Sequence, residues 1–218
     1  MKTFFDCIPC LIRQSLASVR LATADERVHE QVLCEGLLAA SRMDLRQPPA
    51  AMSQVVHRRI RELCQNRDPY HASKARFNRL ALDLLPALRH RLEEAPDPWD
   101  AAVRLAIAGN VMDLAVKGGL SEAQIRHSIA QSLNESLDGS TAEFAASVRG
   151  ARNILYLTDN AGEIVFDRLL IEQMPPEKGT VAVRGSPVIN DATLEYAEQA
   201  GLTRLVQVTV VPSLVYGG

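Results

Sequence analysis

The residue types best suited to chemistry lie in two short segments of the second half of the chain. Residues 158–163 read TDNAGE and residues 190–193 read NDAT. The carboxylates of Asp159 and Asp191 and the amide oxygen of Asn160 are hard oxygen ligands, which Mg²⁺, Mn²⁺ and similar cations prefer. The pattern predicts a divalent-cation site if the two segments meet. Taken alone, either segment is equally typical of turn formers and helix caps.

The secondary structure predicted around these two segments bears on whether the segments meet. Apolar runs at 153–157, 180–183 and 205–211 are typical of strands. Residues 164–174, between the first two runs, and residues 192–200, between the second and third, show helical periodicity. This alternation predicts a parallel sheet with right-handed crossovers. In such sheets ligands bind just beyond the carboxyl ends of the strands, so both acidic segments should face one crevice if the first two strands are neighbours.

The first half of the chain has a different character. Apolar residues recur there at helical spacing, and prolines and capping residues divide the pattern into several helices. Pro86 is expected to kink or end the fourth of them. The predicted fold class is α/β, with a helical region at 1–150 packed on a parallel-sheet α/β domain at 151–218.

A third polar segment, AGNVMD at 108–113, falls inside the predicted fifth helix. Glycine and asparagine both weaken a helix interior, so either close packing or a ligand contact is expected at Gly109 and Asn110. The simpler interpretation is a packing glycine beside two solvated polar residues.

Cys7 and Cys10 form a Cys-x-x-Cys pair close to the N-terminus. A single pair is compatible with half of a zinc site, with a redox pair, or with small buried thiols. Cys34, Cys64 and His29 are the candidates to complete a metal site. The pair is therefore a candidate second metal or redox site, with burial as the alternative.

Composition excludes several classes of function. The 218 residues carry 24 Lys plus Arg against 26 Asp plus Glu, a formal net charge of −2, so no global field would attract nucleic acid or an anionic membrane. Charged residues interrupt every apolar run before it could cross a bilayer or serve as a secretory signal. Four cysteines fit a reducing compartment. A cytoplasmic protein is expected, and nothing in the sequence determines its oligomeric state.

Five motifs taken together resemble one family. They are, in chain order, CIPC at 7–10, DPY at 68–70 with Asn78 in the helix that follows, AGNVMD at 108–113, DNAGE at 159–163 and NDAT at 190–193. In this order they resemble the prokaryotic branch of the metal-dependent damage-control phosphatases, formerly a domain of unknown function and also labelled protein-glutamate methyltransferase-like. The resemblance extends over about residues 1 to 208.

The resemblance implies a helical region packed on an α/β domain, with a divalent cation (Mn, Mg, Ni or Co) at the positions of Asp159, Asn160 and Asp191. It also implies a small phosphorylated metabolite, such as a sugar phosphate, as substrate. Members similar to this chain continue for several tens of residues, with further strands and a lysine that contacts phosphate. The end of this sequence matches nothing there, so a C-terminally truncated chain is expected.

The working hypothesis is hydrolysis of a phosphomonoester by metal-activated water. Asp159, Asn160 and Asp191 are the predicted catalytic and metal-binding residues, and Asn110, Asp113 and Glu163 are predicted to orient the substrate. A covalent aspartyl-phosphate at Asp159 is disfavoured because position 161 is alanine rather than an acid.

Two rival functions stay open. One is an S-adenosylmethionine-dependent carboxyl methyltransferase, against which stands the lack of a Gly-x-Gly loop after any predicted strand. The other is a non-catalytic metal-binding protein, because the expected C-terminal segment is missing.

Overall fold

The computed structural model describes residues 2–65, 68–112 and 121–211 of the chain. They divide into two compact units. The first unit contains the residues up to 72 together with 187–189, and the second contains 73–186 and the residues from 190 onward. The predicted domain boundary at residue 150 is a different division, and it stays a prediction.

The first unit is a bundle of three helices. They are α1 (Cys7–Ala22), α2 (Glu26–Arg42) and α3 (Pro49–Cys64). The side chain of Asp25 caps α2 by accepting a hydrogen bond from the backbone N–H of Arg27, and Pro49 begins α3, where its missing N–H is not needed. The apolar faces of the three helices meet in a core of Val19, Val32, Val56 and Ile60.

Four further helices within the described residues are α4 (His71–Glu94), α5 (Pro98–Gly109), α6 (Glu122–Ser132) and α7 (Thr141–Gly150). Pro86 lies inside α4, which continues to Glu94. The alternative that Pro86 ends this helix is therefore wrong. Buried leucines on both sides of the proline, at 84, 85, 88 and 92, hold the helix through tertiary packing, which outweighs the missing backbone hydrogen bond.

Strands and helices alternate after residue 150. The elements are β1 (Ile154–Leu157), α8 (Glu163–Ile171), β2 (Gly179–Arg184), α9 (Leu194–Gln199) and β3 (Gln207–Val211). The strands form one parallel sheet in the order β1-β2-β3, with Leu157 opposite Ala182 and Val183 opposite Val210. The predicted α/β class is confirmed.

Helix α8 lies at the centre of the second unit. All but two of its nine residues are buried, and it packs against α5. The closest approach is at Gly109, where an added Cβ would lie 2.9 Å from the Cβ of Phe166. Close packing is thus the reason for this glycine, which ends α5 instead of interrupting its interior.

No helix within the described residues combines the length and the apolar character needed to span a membrane.

Candidate active site

The two acidic segments are joined at the carboxyl ends of β1 and β2. Asn160 and Asp191 form an isolated antiparallel bridge. Its backbone hydrogen bonds run from the N–H of Ala161 to the oxygen of Asn190, at 2.8 Å, and from the N–H of Ala192 to the oxygen of Asp159, at 2.6 Å. The structure therefore brings together the three residues that the sequence predicts as metal ligands.

Buried amide side chains extend this link. The Asn190 amide nitrogen donates to the Asn160 amide oxygen over 2.5 Å, and the Asn160 amide nitrogen donates to the Glu163 carboxylate over 2.7 Å. Asn160 and Asn190 are almost fully buried, whereas Asp159 is exposed. The Asn160 amide makes one hydrogen bond through its oxygen and another through its nitrogen, so the direction of its oxygen is fixed. The second of these bonds holds Glu163 beside the two loops.

Arg184, the last residue of β2, forms an ion pair with Asp191. The guanidinium Nε donates to the Asp191 carboxylate over 2.6 Å, and the arginine side chain is 46% exposed against 12% for the aspartate. Burial raises the pKa of Asp191, the Arg184 guanidinium opposes that shift, and the Asp159 carboxylate adds to it. Sequence reasoning assigned Arg184 no role, although its position at a strand's carboxyl end was a usable signal.

A buried carboxyl group lies one helical turn after Glu163. Asp167 is 4% exposed and accepts a hydrogen bond of 2.7 Å from the Tyr156 hydroxyl. Burial, together with the negative charges of Glu163 and Asp159, raises the pKa of Asp167 to about 8, against the opposing effect of the tyrosine. Burial and the nearby negative charges thus favour the protonated form of Asp167. Sequence reasoning missed it, and its spacing of four from Glu163 on α8 was the available signal.

The loop before α8 depends on Gly162. This residue has φ +90°, and an added Cβ would lie 3.2 Å from the backbone oxygen of Phe77 in α4. Its N–H donates to the side-chain oxygen of Asn78 over 3.2 Å. Only glycine accepts this backbone conformation so close to another helix without strain. Asn78, noted in the sequence only through the family resemblance, therefore supports the loop.

The predicted substrate contacts have different outcomes. Glu163 lies at the site, as its bond to Asn160 shows. Asn110 is exposed at the C-terminal end of α5 and lines a pocket of about 350 Å³ together with Arg104 and Ser132. Asp113 lies outside the described residues. The substrate-binding roles of Asn110, Asp113 and Glu163 stay predictions.

The Cys-x-x-Cys pair lies in the first unit. Cys7 is half-buried and Cys10 is exposed in the first turns of α1, and all four cysteines are free thiols. Within the part of the chain that the structure describes, no group of three or more His, Cys, Asp or Glu residues is arranged to hold an ion. The zinc and redox interpretations of the pair stay predictions.

The donor set of the two loops fits a divalent cation. Two carboxylates and an amide oxygen are the hard ligands that Mg²⁺ and Mn²⁺ prefer. Asp191 accepts its hydrogen bond from Arg184 through one carboxylate oxygen, Oδ2, and an amide oxygen has a second lone pair. Burial raises the pKa of Asp191, and the Asp159 carboxylate adds to that shift through a repulsion of the kind that a cation relieves.

Comparison with known proteins decides the family. The sequence model of the damage-control phosphatase ARMT1-like domain family matches residues 3–214 of this chain. The chain belongs to the damage-control phosphatase ARMT1-like family. The resemblance read from the five motifs is thereby confirmed.

Two curated archaeal members of the damage-control phosphatase family are similar over most of the chain. The "Damage-control phosphatase" of Archaeoglobus fulgidus is 34% identical over 203 residues, which are 91% of this chain and 70% of the relative. "Damage-control phosphatase PH1575" of Pyrococcus horikoshii is 29% identical over 222 residues, with 100% of this chain and 76% of the relative covered. The family assignment therefore rests on similarity along almost the whole chain.

A solved structure agrees with the family assignment. The crystal structure of a DUF89 family protein from Pyrococcus horikoshii superposes with a TM-score of 0.84 at 28% sequence identity. The match covers 96% of this chain and 74% of that protein. The fold described above is thus the fold of this damage-control phosphatase relative.

Proposed function

We propose that this chain is a divalent-cation-dependent phosphomonoesterase that acts on small phosphorylated metabolites, with sugar phosphates as the first candidates. The observation that carries the proposal is the bridge between Asn160 and Asp191, which unites the two acidic loops at the carboxyl ends of β1 and β2. Membership in the damage-control phosphatase family and the printed names of two relatives support the reaction class.

Asp159, Asn160 and Asp191 would hold the cation, for which Mn²⁺, Mg²⁺, Ni²⁺ and Co²⁺ are the candidates. When bound, such an ion neutralises charge on the phosphate and activates water for attack on phosphorus. The exposed Asp159 carboxylate would orient the attacking water, and Glu163 would accept hydrogen bonds from hydroxyl groups of the substrate.

Arg184 is our candidate for a direct contact with the phosphate. Its guanidinium binds Asp191 through Nε and is half-exposed, so it can offer its terminal N–H groups to two phosphate oxygens. The Arg184 guanidinium would then supply a positive charge beside the metal ligands.

The charge of the site supports dependence on a metal. Asp159, Glu163 and Asp191 bring three carboxylates, whereas the positive groups acting on Asp191 are Arg184 and Lys74. A phosphate dianion entering this surplus of negative charge is repelled. A divalent cation reverses the sign of the site, so phosphate binding should require it.

The test is phosphate release from a panel of phosphorylated metabolites with each of the four cations and with EDTA. Asp159→Asn should lower metal-stimulated turnover by at least about a hundredfold, since it removes one ligand charge without changing the shape of the side chain. Asp83→Asn, an exposed carboxylate on α4, is the matched control and should match the wild type.

Full turnover in EDTA, or an Asp159→Asn variant as active as the Asp83→Asn control, would reject the proposal. Binding of S-adenosylmethionine in calorimetry, without phosphate release, would favour the methyltransferase instead. Metal-dependent thermal stabilisation without either would favour a non-catalytic metal-binding protein.

A further inference from the structure

Asn78 of α4 is a buried amide that forms hydrogen bonds with two other elements of the second unit. Its side chain is 0% exposed. The amide oxygen accepts from the N–H of Gly162 over 3.2 Å, in the loop that precedes α8. The amide nitrogen donates over 2.7 Å to the side-chain oxygen of Gln199, the last residue of α9. The first acidic loop and α9 are therefore attached to the same side chain of α4.

The two ends of this row of hydrogen bonds determine the direction of every bond in it. At one end the Gln199 amide nitrogen donates over 3.2 Å to the carboxylate of Glu195, one turn earlier on α9, and a carboxylate oxygen accepts. At the other end the backbone N–H of Gly162 can only donate. The Gln199 oxygen must therefore face the Asn78 nitrogen, and the Asn78 oxygen must face Gly162. Gln199 thus sets the orientation of the Asn78 amide.

Asn78 holds the loop that contains two of the predicted metal ligands. Gly162 follows Asn160 by two residues. The N–H of Ala161 donates to the backbone oxygen of Asn190 in the second acidic loop over 2.8 Å, and the next N–H, that of Gly162, donates to Asn78. The first bond fixes the two loops against each other, and the second fixes the first loop against α4. Without Asn78 a buried N–H would lose its partner, which favours a shift of the loop.

On the basis of the proposed function, we propose that Asn78 is a positioning residue of the cation site and that Gln199 orients it from α9. By holding Gly162, Asn78 keeps Asp159 and Asn160 in the place where the bridge joins their loop to Asp191. Ligands that are already held in place bind a cation more tightly than mobile ones, because less conformational entropy is lost on binding. The Mn²⁺ affinity of the chain should therefore depend on a side chain that does not itself bind the metal.

Calorimetry on the full chain with Mn²⁺ alone tests the proposal, beside urea unfolding in EDTA. Asn78→Ala should bind Mn²⁺ about tenfold more weakly than the wild type, the order of effect expected for a group that holds metal ligands in place. Leu88→Ala is the matched control, since it truncates a buried side chain about 15 Å further along α4. It should lower the urea midpoint and leave the Mn²⁺ affinity unchanged. If Asn78 contributed to stability alone, the two variants would bind Mn²⁺ equally well.

A second pair of variants changes the exposed residue that orients Asn78. Gln199→Met removes the acceptor of the Asn78 amide nitrogen and keeps a side chain of similar length, so it should weaken Mn²⁺ binding by roughly threefold. Gln199→Glu keeps an oxygen that accepts from Asn78 and should restore the wild-type affinity. Substitutions at an exposed position perturb folding little, so this pair decides the proposal even if Asn78→Ala does not fold.

The outcomes separate this proposal from the proposed function. Phosphate release by the wild type, with equal Mn²⁺ affinities in Asn78→Ala and Leu88→Ala, would reject the role of Asn78 and leave the phosphatase standing. Weaker binding in Asn78→Ala, with equal affinities in the two Gln199 variants, would reject the role of Gln199 alone. A wild type that binds Mn²⁺ but hydrolyses no phosphomonoester would reject the phosphatase, and the same affinities would still decide the role of Asn78. A wild type that does not bind Mn²⁺ would overturn both proposals.

Discussion

The side chains of Asn160 and Asn190 are joined by a hydrogen bond of 2.5 Å between the amide nitrogen of Asn190 and the amide oxygen of Asn160. The two residues come from loops that follow different strands, and both are buried. This bond fixes the orientation of a predicted metal ligand from the neighbouring loop. The two loops should therefore keep or lose their structure together.

Asn190→Ala should destabilise the chain and weaken its hold on Mn²⁺. Removing the donor leaves the buried Asn160 oxygen without its partner, which costs about 1–3 kcal/mol. Urea unfolding and Mn²⁺ calorimetry measure the two effects. Asn134→Ala, at an exposed position, is the control. An Asn190→Ala variant as stable as this control would show that the amide pair does not join the loops.

Gly162→Ala should cost about 1–3 kcal/mol, because a side chain is strained at this backbone conformation. The positive φ of +90° and the backbone oxygen of Phe77, 3.2 Å from an added Cβ, both oppose the alanine. Thermal unfolding measures the loss. Gly150→Ala is the control, since nothing lies within 4 Å of an added Cβ at the end of α7. Equal melting temperatures for the two variants would contradict the packing described here.

The first unit should lose stability in mild acid through His57. Burial, with a smaller contribution from Arg61, lowers the pKa of this histidine from 6.5 to about 4. The folded state therefore binds fewer protons than the unfolded state between these values, and stability falls as the pH drops through that window. The shift corresponds to about 3 kcal/mol in total.

Urea unfolding of the wild type and of His57→Gln at several pH values between 7 and 4 measures the contribution of His57. The acid-dependent loss should shrink in His57→Gln. His90→Gln, at a position whose side chain is 70% exposed, is the control and should follow the wild type. Parallel pH profiles for all three proteins would exclude His57 as the cause.

Asp167 should have the opposite effect on the dependence of stability on pH. With its pKa raised from 3.8 to about 8, the folded state keeps a proton that the unfolded state has released. Stability should therefore fall as the pH rises between those values. Asp167→Asn retains an acceptor for the Tyr156 hydroxyl and cannot ionise, so near pH 8 it should be more stable than the wild type by roughly 2 kcal/mol or more.

The measurement for Asp167 is urea unfolding in EDTA at about pH 6 and about pH 8.5, on either side of the raised pKa. The gain of Asp167→Asn should be larger at the higher pH. A gain of equal size at both would mean that folding does not raise the pKa of Asp167 into this range. Tyr156→Phe removes the hydrogen bond alone and distinguishes its loss from the change of charge.

Much of the second unit could be predicted because it follows from local patterns. The apolar runs at 153–157, 180–183 and 205–211 led to the three parallel strands, whose ends differ from the prediction by at most two residues. The loops after neighbouring parallel strands lie at the same edge of a sheet, so the sequence could place Asp159, Asn160 and Asp191 together on the condition that β1 and β2 pair.

Predictions that depended on packing between distant elements were less successful. Pro86 lies inside α4 because leucines on both sides of it are buried, and Asn110 lies at a helix end because α5 stops at Gly109 beside Phe166. Local propensity contains no information on such contacts.

The sequence by itself determined the α/β class, the parallel strands and the two acidic loops, because periodicity and the ends of strands are properties of neighbouring residues. Only the tertiary structure decided which groups surround those loops: Arg184 on Asp191, Asn78 on Gly162, and the buried Asp167. Asn78 lies more than 80 residues before the loop that it supports, and its burial depends on chain folding that no local spacing encodes.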